Sequence, residues 1–383
     1  MCNIQGTVVP GSAPNLAASL AVVVFANAVA ASQNIAGLPA AARAAREAAL
    51  AGFGECWLTA GPDWAPDEQI RAEVHRLAPA MAVHFLADWA IPADFAGVSA
   101  IWISGERLVA DSSQQEPADD GLLPDSWLAE VQADAVAGQA RLGPATSAAL
   151  LAAESRRIIA ATGKPGDGIV SRLVNRPISQ AITRFLLRWP AIRPIHATWV
   201  PALLAVAMFI CLLADGHAGL IAGTLLFQAA SIFDGVDGEI ARATFRSSRQ
   251  GAMLDSLVDA AANIGFIGGV VINLWIAGSQ NVAMAGAAGL AMMALGLFLI
   301  GRRAAKGSGP FTFYGVKDRV CAGGSRLGQW LTWLTMRDFY AFAAVVFVVS
   351  GFTEVGLLAF AIAAAGWLAV VLFVMGVRAP QTA

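Results

Sequence analysis

No lysine occurs before Lys164 in this chain of 383 residues, and charged residues make up only 14% of it. No nucleic-acid partner is expected of such a chain. Four cysteines, Cys2, Cys56, Cys211 and Cys321, are scattered and form no C-x-x-C or metal-ligand spacing. Cys211 lies inside an apolar block and reads as packing. The first residues lack the basic region that opens a signal peptide. The apolar stretch 20–31 is too short to span a bilayer, so it reads as a buried strand and the start of a helix.

What the chain has in excess is apolar surface. Hydrophobic residues make up 57% and the mean hydropathy is +0.61, which points to a membrane protein. The apolar content is uneven. Up to about residue 161 the chain is alanine-rich with interspersed, mostly acidic charge, and from about residue 195 it runs in long apolar blocks. The basic second half suits a protein that meets anionic headgroups and phosphates. Candidate spans are 196–213, 220–243, 253–276, 282–300, 339–350 with some extension, and 355–374. All but the fifth approach the ~20 residues that a bilayer requires.

The connections carry an orientation signal. Arg242, Arg246 and Arg249 fall between the second and third candidates. Arg302, Arg303, Lys306, Lys317, Arg319, Arg326 and Arg337 fall between the fourth and fifth, and five arginines from Arg172 to Arg193 precede the first. The other three connections carry no Lys or Arg. The positive-inside rule then puts both termini and the Arg242–Arg249 connection in the cytoplasm of a bacterial-type inner membrane. Trp189, Trp199, Trp275, Trp330 and Trp333 read as interface anchors, and His196 as an interfacial cap. Residues 171–189 alternate apolar side chains with arginines, the pattern of a helix lying in the interface.

The N-terminal half alternates strand-like pieces (20–25, 56–59, 82–86, 99–104) with helix-like ones (40–51, 67–76), which predicts a three-layer α/β domain. A helix over 146–161 connects it onward, 118–125 reads as a loop, and the breakers of 163–168 mark a linker. The expected division is 1–162 as a cytoplasmic α/β domain, 163–194 as linker and interfacial helix, and 195–383 as an all-α polytopic domain of about six spans.

The chemistry concentrates in one run. Asp234 and Asp237 are three apart, Asp255 and Asp259 are four apart, and all lie in or beside apolar segments. On helices each spacing puts the pair on one face. Ionisable residues at membrane depth are costly and mark function, and facing carboxylates suit hard divalent cations. Structural ion pairs between spans and a cation path are the competing readings. Four acids against one fixed arginine do not balance, and a cation path leaves the Gly and Ala spacing unexplained.

The run Asp234-x-x-Asp237-Gly238-x-x-Ala241-Arg242-x8-Gly251-x-x-x-Asp255-x-x-x-Asp259 resembles the signature of the CDP-alcohol phosphotransferases, with every fixed position filled. The segment 237–251 and Arg337-Asp338 look closest to the inositol-phosphate, di-myo-inositol-phosphate-phosphate synthase-like branch. The resemblance implies transfer of a substituted phosphate from a CDP-alcohol to a hydroxyl acceptor, with release of CMP and two divalent ions, Mg2+ or Mn2+. It implies that Asp234, Asp237, Asp255 and Asp259 are metal ligands and that Asp259 is the base. Asp234, Gly238, Ala241, Arg242, Gly251 and Asp255 would meet the nucleotide. Arg246, Arg249, Arg302, Arg303, Lys306, Lys317 and Arg319 could hold an acceptor phosphate, or serve topology alone. Membrane lipids and a second copy, as a homodimer, are the implied partners.

Two departures stand out. In the family Thr-Pro-Asn-x-x-Thr often leads into the first span, and here Pro194 and Thr198 match while Ile195 replaces Asn. After Asp259 come Ala260, Ala261, Ala262 and Asn263, where relatives of the branch continue with Arg, an aromatic and a second acid. A lipid donor such as CDP-diacylglycerol and a soluble CDP-polyol both stay open. Residues 36–54 resemble the second-helix region of sugar-nucleotide-type nucleotidyltransferases, a domain that some relatives carry fused. A live version needs a Gly-rich basic loop after the first strand, and residues 25–34 hold neither glycine nor Lys or Arg. A catalytically degenerate domain is expected, with a bifunctional enzyme and a non-enzymatic transporter or scaffold as the alternatives.

Overall fold

The computed structural model describes residues 20–62, 64–87, 100–112, 141–164, 166–214, 216–306 and 336–376. Cys2, the expected loop 118–125, Lys317, Arg319, Cys321, Arg326, Trp330 and Trp333 lie outside the described residues. The chain divides into two compact units. The first is Met1–Thr162 with Arg184–Ile192 and Ala243–Phe245, and the second is Gly163–Thr183, Arg193–Arg242 and Arg246–Ala383.

The first unit holds a parallel sheet of β1 (Leu20–Val24), β4 (Glu55–Thr59), β5 (Ala82–Leu86) and β6 (Ala100–Ser104), in the order β5-β4-β1-β6. A small antiparallel ribbon of β2 (Asn34–Ile35) and β3 (Leu38–Pro39) follows α1 (Ala28–Ser32). β1 is central and buried on both faces, as parallel strands covered on each side must be. Its alternate residues feed two clusters. Ala21 and Val23 join Cys56, Leu58 and Ile103 under the helices, while Leu20, Val22 and Val24 pack with Trp57 and Trp102. The covering helices are α2 (Ala40–Leu50), α3 (Glu68–Leu77), α4 (Gly105–Ser112) and α5 (Pro144–Ala161). The α2 face is almost all alanine, which lets that helix lie close to the sheet. Asp67 caps α3 by accepting the Ile70 N–H at 2.7 Å, and Pro144 opens α5, where its missing N–H costs nothing.

Arg43 on α2 is buried, and its guanidinium donates to the carbonyls of Ile35 at 2.8 Å, Ala36 at 3.1 Å and Ala243 at 2.6 Å. Burial lowers its pKa to about 10, partly countered by Glu47, so it stays charged at neutral pH. Arg76 donates to the carbonyls of Thr244 and Phe245, and Arg46 lies 3.8 Å over the Phe245 ring. These bonds fold Ala243–Phe245 into the first unit.

In the second unit a widened helical turn, Ser171–Asn175, leads into α6 (Arg176–Leu186). There follow α7 (Pro194–Leu213), α8 (His217–Ala243), α9 (Arg249–Ile276), α10 (Gln280–Lys306), α11 (Arg337–Val349) and α12 (Thr353–Gly376). All but α6 and α11 are long and apolar enough to cross a membrane, five helices among the described residues. About six spans were expected. The fifth candidate, α11, has 13 residues, or roughly 20 Å at 1.5 Å per residue, short of the ~30 Å hydrocarbon core, as its length in the sequence suggested. Leu203, Ile210, Ile362 and Phe373 are exposed, as lipid-facing side chains are. Trp189, Trp199 and Trp275 are each about half exposed. Cys211 is half-buried.

The α7, α8 and α9 helices meet through glycine. A Cβ on Gly223 would lie 2.5 Å from Leu212 Cγ, and one on Gly269 would lie 2.8 Å from Leu212 Cβ. Phe227 stacks on Phe266 with ring centroids 4.1 Å apart. Buried Asn273 donates to the carbonyls of Leu212 and Ala214 at 3.0 and 2.9 Å, satisfying the open end of α7. These contacts fix how α8 and α9 are rotated toward each other, and with that the aim of their carboxylates.

Candidate metal and substrate site

Ligand oxygens of Asp234, Asp255 and Asp259 lie within 4.8 Å of one another, and all three residues are half-buried. Asp234 comes from α8, and Asp255 and Asp259 come from successive turns of α9. Ser248 starts that helix by accepting the Gly251 N–H at 3.0 Å. Gly251 itself is exposed at this first turn.

Asp237 is placed differently. It is 6% exposed, and its Oδ2 accepts the Thr198 hydroxyl at 2.7 Å. Thr198 also reaches the Pro194 carbonyl at 3.2 Å. Of the two matching residues of the lead-in to the first span, Thr198 thus serves the fourth carboxylate, while Ile195 at the departing position is exposed. His196 Nδ1 accepts the Arg193 N–H, a cap on that helix.

Arg337 reaches the carboxylates from α11. Its Nη1 hydrogen-bonds Asp259 Oδ1 and lies 3.3 Å from Asp234 Oδ1. Its side chain is 10% exposed and packs over the Phe227 ring at 5.7 Å. The next residue, Asp338, accepts from Asn175 at 2.9 Å and from Ser231 at 3.0 Å, and Asn175 in turn accepts from Gln228. The adjacent Arg337 and Asp338 could have formed a plain ion pair with each other. Instead the two residues bond to different partners on α8, α9 and the Ser171–Asn175 turn.

A second polar cluster was missed in the sequence. Glu239, fully buried, accepts from Ser179 at 2.6 Å, Thr183 at 2.7 Å and Arg176 at 2.8 Å. Arg176 also donates to both oxygens of Asp167, at 2.7 and 3.1 Å. Burial alone would lower the Arg176 pKa and raise that of Asp167, but their mutual hydrogen bonds prevail, so Arg176 is raised and Asp167 lowered. The polar side of the 171–189 segment therefore turns inward, while Leu173, Ile178 and Phe185 are exposed. The 176, 179, 183 spacing was the available signal, since it puts the three donors on one helix face.

The glycines beside the carboxylates make room for guanidinium groups. A Cβ on Gly238 would lie 3.0 Å from Arg242 Nη1, and one on Gly235 would lie 3.3 Å from Arg176 Nη1. Ala241 and Arg246 are half-buried, and Arg249 and Arg302 are exposed, with Arg302 over the Phe298 ring. Arg303 and Lys306 belong to α10, but their side chains are outside the described set.

In the first unit, the backbone after β1 meets a carboxylate. Glu106 accepts the Ala26 N–H at 2.8 Å, the Ser147 hydroxyl at 2.7 Å and the Ser104 hydroxyl at 3.0 Å. The Phe25 ring fills the space over Gly105, where a Cβ would lie 2.4 Å from it.

The sequence profile of the CDP-alcohol phosphatidyltransferase family matches residues 194–374, which contain all four aspartates. The chain is 37% identical over 109 residues to a bifunctional IPC transferase and DIPP synthase of Aquifex aeolicus, covering 28% of this chain and 24% of that protein. The protein of the same description from Thermococcus kodakarensis is 35% identical over 115 residues, covering 30% and 25%. That from Rubrobacter xylanophilus is 37% identical over 151 residues, covering 39% and 33%. The matches thus span about a quarter to a third of the length of these curated relatives.

Proposed function

We propose, from the premise that residues 194–374 form a domain of the CDP-alcohol phosphatidyltransferase family, that this chain transfers a substituted phosphate from a CDP-alcohol to an acceptor hydroxyl and releases CMP. The observation that carries the reading is the convergence of Asp234, Asp255 and Asp259 within 4.8 Å on two apolar helices.

These residues fit a hard divalent ion. The donor set is all carboxylate oxygen. Asp234 Oδ1 is buried without a hydrogen-bond donor, and the cluster already draws in the Arg337 cation. Asp234, Asp255 and Asp259 would hold Mg2+ or Mn2+, and Asp237 would complete a site for two ions. When bound, the metal supplies charge neutralisation for the donor diphosphate and the departing CMP. Asp259 takes the proton from the acceptor hydroxyl at a carboxylate oxygen. Thr198 holds Asp237 in orientation. Arg242, over Gly238, adds a fixed positive charge beside the nucleotide. Arg337 steadies Asp259 until the acceptor arrives.

The relatives' description and the resemblance of 237–251 favour an acceptor or donor of the inositol-phosphate class over other alcohols. Arginine-rich connections on one side favour a cytoplasmic active site in a bacterial-type inner membrane, with both termini on that side. A homodimer is part of this reading. The first 162 residues act without nucleotidyl transfer. Glu106 puts a negative charge on the Ala26 amide, where a triphosphate would need donors and cations.

The test is a screen for CMP release from CDP-diacylglycerol and CDP-polyols with candidate acceptors, products being identified by mass spectrometry. Metal-dependent CMP release is expected with at least one pair. Its absence with every pair, in protein that binds the metal, would sink the proposal. Pyrophosphate release from CTP by the full chain would instead support a bifunctional enzyme.

A further inference from the structure

Among the described residues of the second unit, Gln228 Oε1, Asn263 Oδ1, Arg337 Nε and Arg337 Nη2 are buried without a hydrogen-bond partner, as Asp234 Oδ1 is. Native proteins meet the great majority of their buried polar atoms, so such a set on three helices calls for a partner. The residues that carry these atoms surround the aspartates. Arg337 bonds Asp259 and lies 3.3 Å from Asp234. Gln228, Ser231 and Asp234 follow one another at steps of three along α8, and Asn263 lies one turn after Asp259 on α9. Gln228 and Asn263 are thus farther from the Arg242–Arg249 connection than the aspartates, by about 9 Å and 6 Å along their helices.

The free oxygens are oriented from behind. The Asp338 carboxylate only accepts, so it draws the Asn175 amide N–H at 2.9 Å. That leaves the Asn175 carbonyl oxygen to accept from Gln228 Nε2 at 2.9 Å, and Gln228 Oε1 is turned outward as an unmet acceptor. The Asn263 side chain hydrogen-bonds Tyr340 on α11, and its Oδ1 stays unmet. Two acceptors therefore stand with the unmet N–H donors of Arg337, whose side chain is 10% exposed.

We propose that Gln228 and Asn263, with Arg337, read the hydroxyl groups of a polyhydroxylated acceptor and so set the acceptor specificity of the site. The proposal rests on the transferase reading, which supplies an acceptor alcohol. A hydroxyl donates to the amide oxygens and accepts from the guanidinium, so it meets both kinds of free atom. A phosphate has only acceptor oxygens, and two amide oxygens beside Asp234 and Asp259 repel it. The subsite therefore favours the uncharged, hydroxyl-rich part of an acceptor. An acceptor with too few hydroxyls leaves these buried atoms unmet, and that penalty discriminates against it.

The experiment measures binding to the full chain in detergent with magnesium and without a CDP-alcohol, so that no turnover occurs. The probes are myo-inositol 1-phosphate and glycerol 1-phosphate, which carry the same phosphate and differ in their hydroxyls. The parent is expected to prefer the inositol ester by about tenfold or more. Gln228→Leu and Asn263→Leu, made separately, are each expected to lose most of that preference while binding glycerol 1-phosphate as the parent does, which also shows that they fold. A parent that binds neither ester, or both equally, overturns the proposal without any variant. Variants that keep the full preference overturn it as well, and would leave the free atoms to ordered water. The outcome is separable from the transferase reading. Bound polyol phosphate that never yields CMP with any donor counts against transfer, whereas CMP release that is indifferent to the acceptor's hydroxyls counts against this subsite alone.

Discussion

Thr198 donates its hydroxyl to Asp237 at 2.7 Å, joining residues 39 positions apart on the first two spans. The bond takes one oxygen of the buried fourth carboxylate and aims the other. The remaining three aspartates gather without it.

Thr198→Val is expected to leave a buried carboxylate lone pair unmet, at a cost of about 1–3 kcal/mol. Thermal unfolding in detergent checks it. Thr198→Ser keeps the hydroxyl and should recover most of the loss, whereas equal midpoints for Val and Ser would contradict the role given to the bond.

Asp255→Asn and Asp259→Asn are each expected to lower CMP release by about a hundredfold to ten-thousandfold, the usual range for losing a positioned acid–base group. The metal dependence should separate them. Asp255→Asn is expected to demand more metal, while Asp259→Asn stays slow at saturating metal. Undiminished turnover in both would end the proposed mechanism.

Arg337 and a divalent ion compete for the same oxygens, because Arg337 Nη1 contacts both Asp259 Oδ1 and Asp234 Oδ1. Arg337→Met is therefore expected to tighten metal binding several-fold in the absence of substrate, and to lower turnover. Calorimetric titration of Mg2+ or Mn2+ reads the first effect. An unchanged or weaker affinity would show that the arginine supports the metal site rather than occupying it.

Glu239→Gln removes the charge that balances Arg176 inside the protein. Breaking a buried pair from one side costs about 3–5 kcal/mol, so a large fall in thermal midpoint is expected. The double change Glu239→Gln/Arg176→Met should recover part of it. If the single variant is as stable as the parent, the ion pair is not a structural anchor.

Asp167 carries a pH signature. Burial raises its pKa, but the hydrogen bonds and charge of Arg176 lower it further, so the folded-state value lies below the unfolded one. Its contribution to stability is fully present above the unfolded value, near pH ~4, and is lost as the pH falls through the folded value. Asp167→Asn should accordingly flatten the acid side of a plot of thermal midpoint against pH. A parallel displacement with unchanged slope would rule out this linkage.

Much of the fold was legible because each piece rests on local chemistry. Consecutive valines at 22–24 and the alternation at 82–86 specified strands, and the alanine run from residue 40 specified a helix. Apolar blocks of span length were equally plain. The short α11 was harder to place, because tertiary contacts at Ala341 and Val348 decide its burial rather than its length. Glu239 looked like one of the free positions in the signature, and nothing local told that it would be fully buried. Its partners Arg176, Ser179 and Thr183 all come from a separate helix.

By itself the sequence determined that four carboxylates sit on two membrane-length helices at spacings of three and four, since side-chain periodicity follows from the helix alone. Which of those carboxylates face one another was decided only by tertiary structure. The rotation of one helix against another depends on what packs between them, here Leu212 against Gly223 and Gly269, and Phe227 against Phe266. That packing turns Asp234, Asp255 and Asp259 together, brings in Arg337 from 78 positions away, and leaves Asp237 to Thr198.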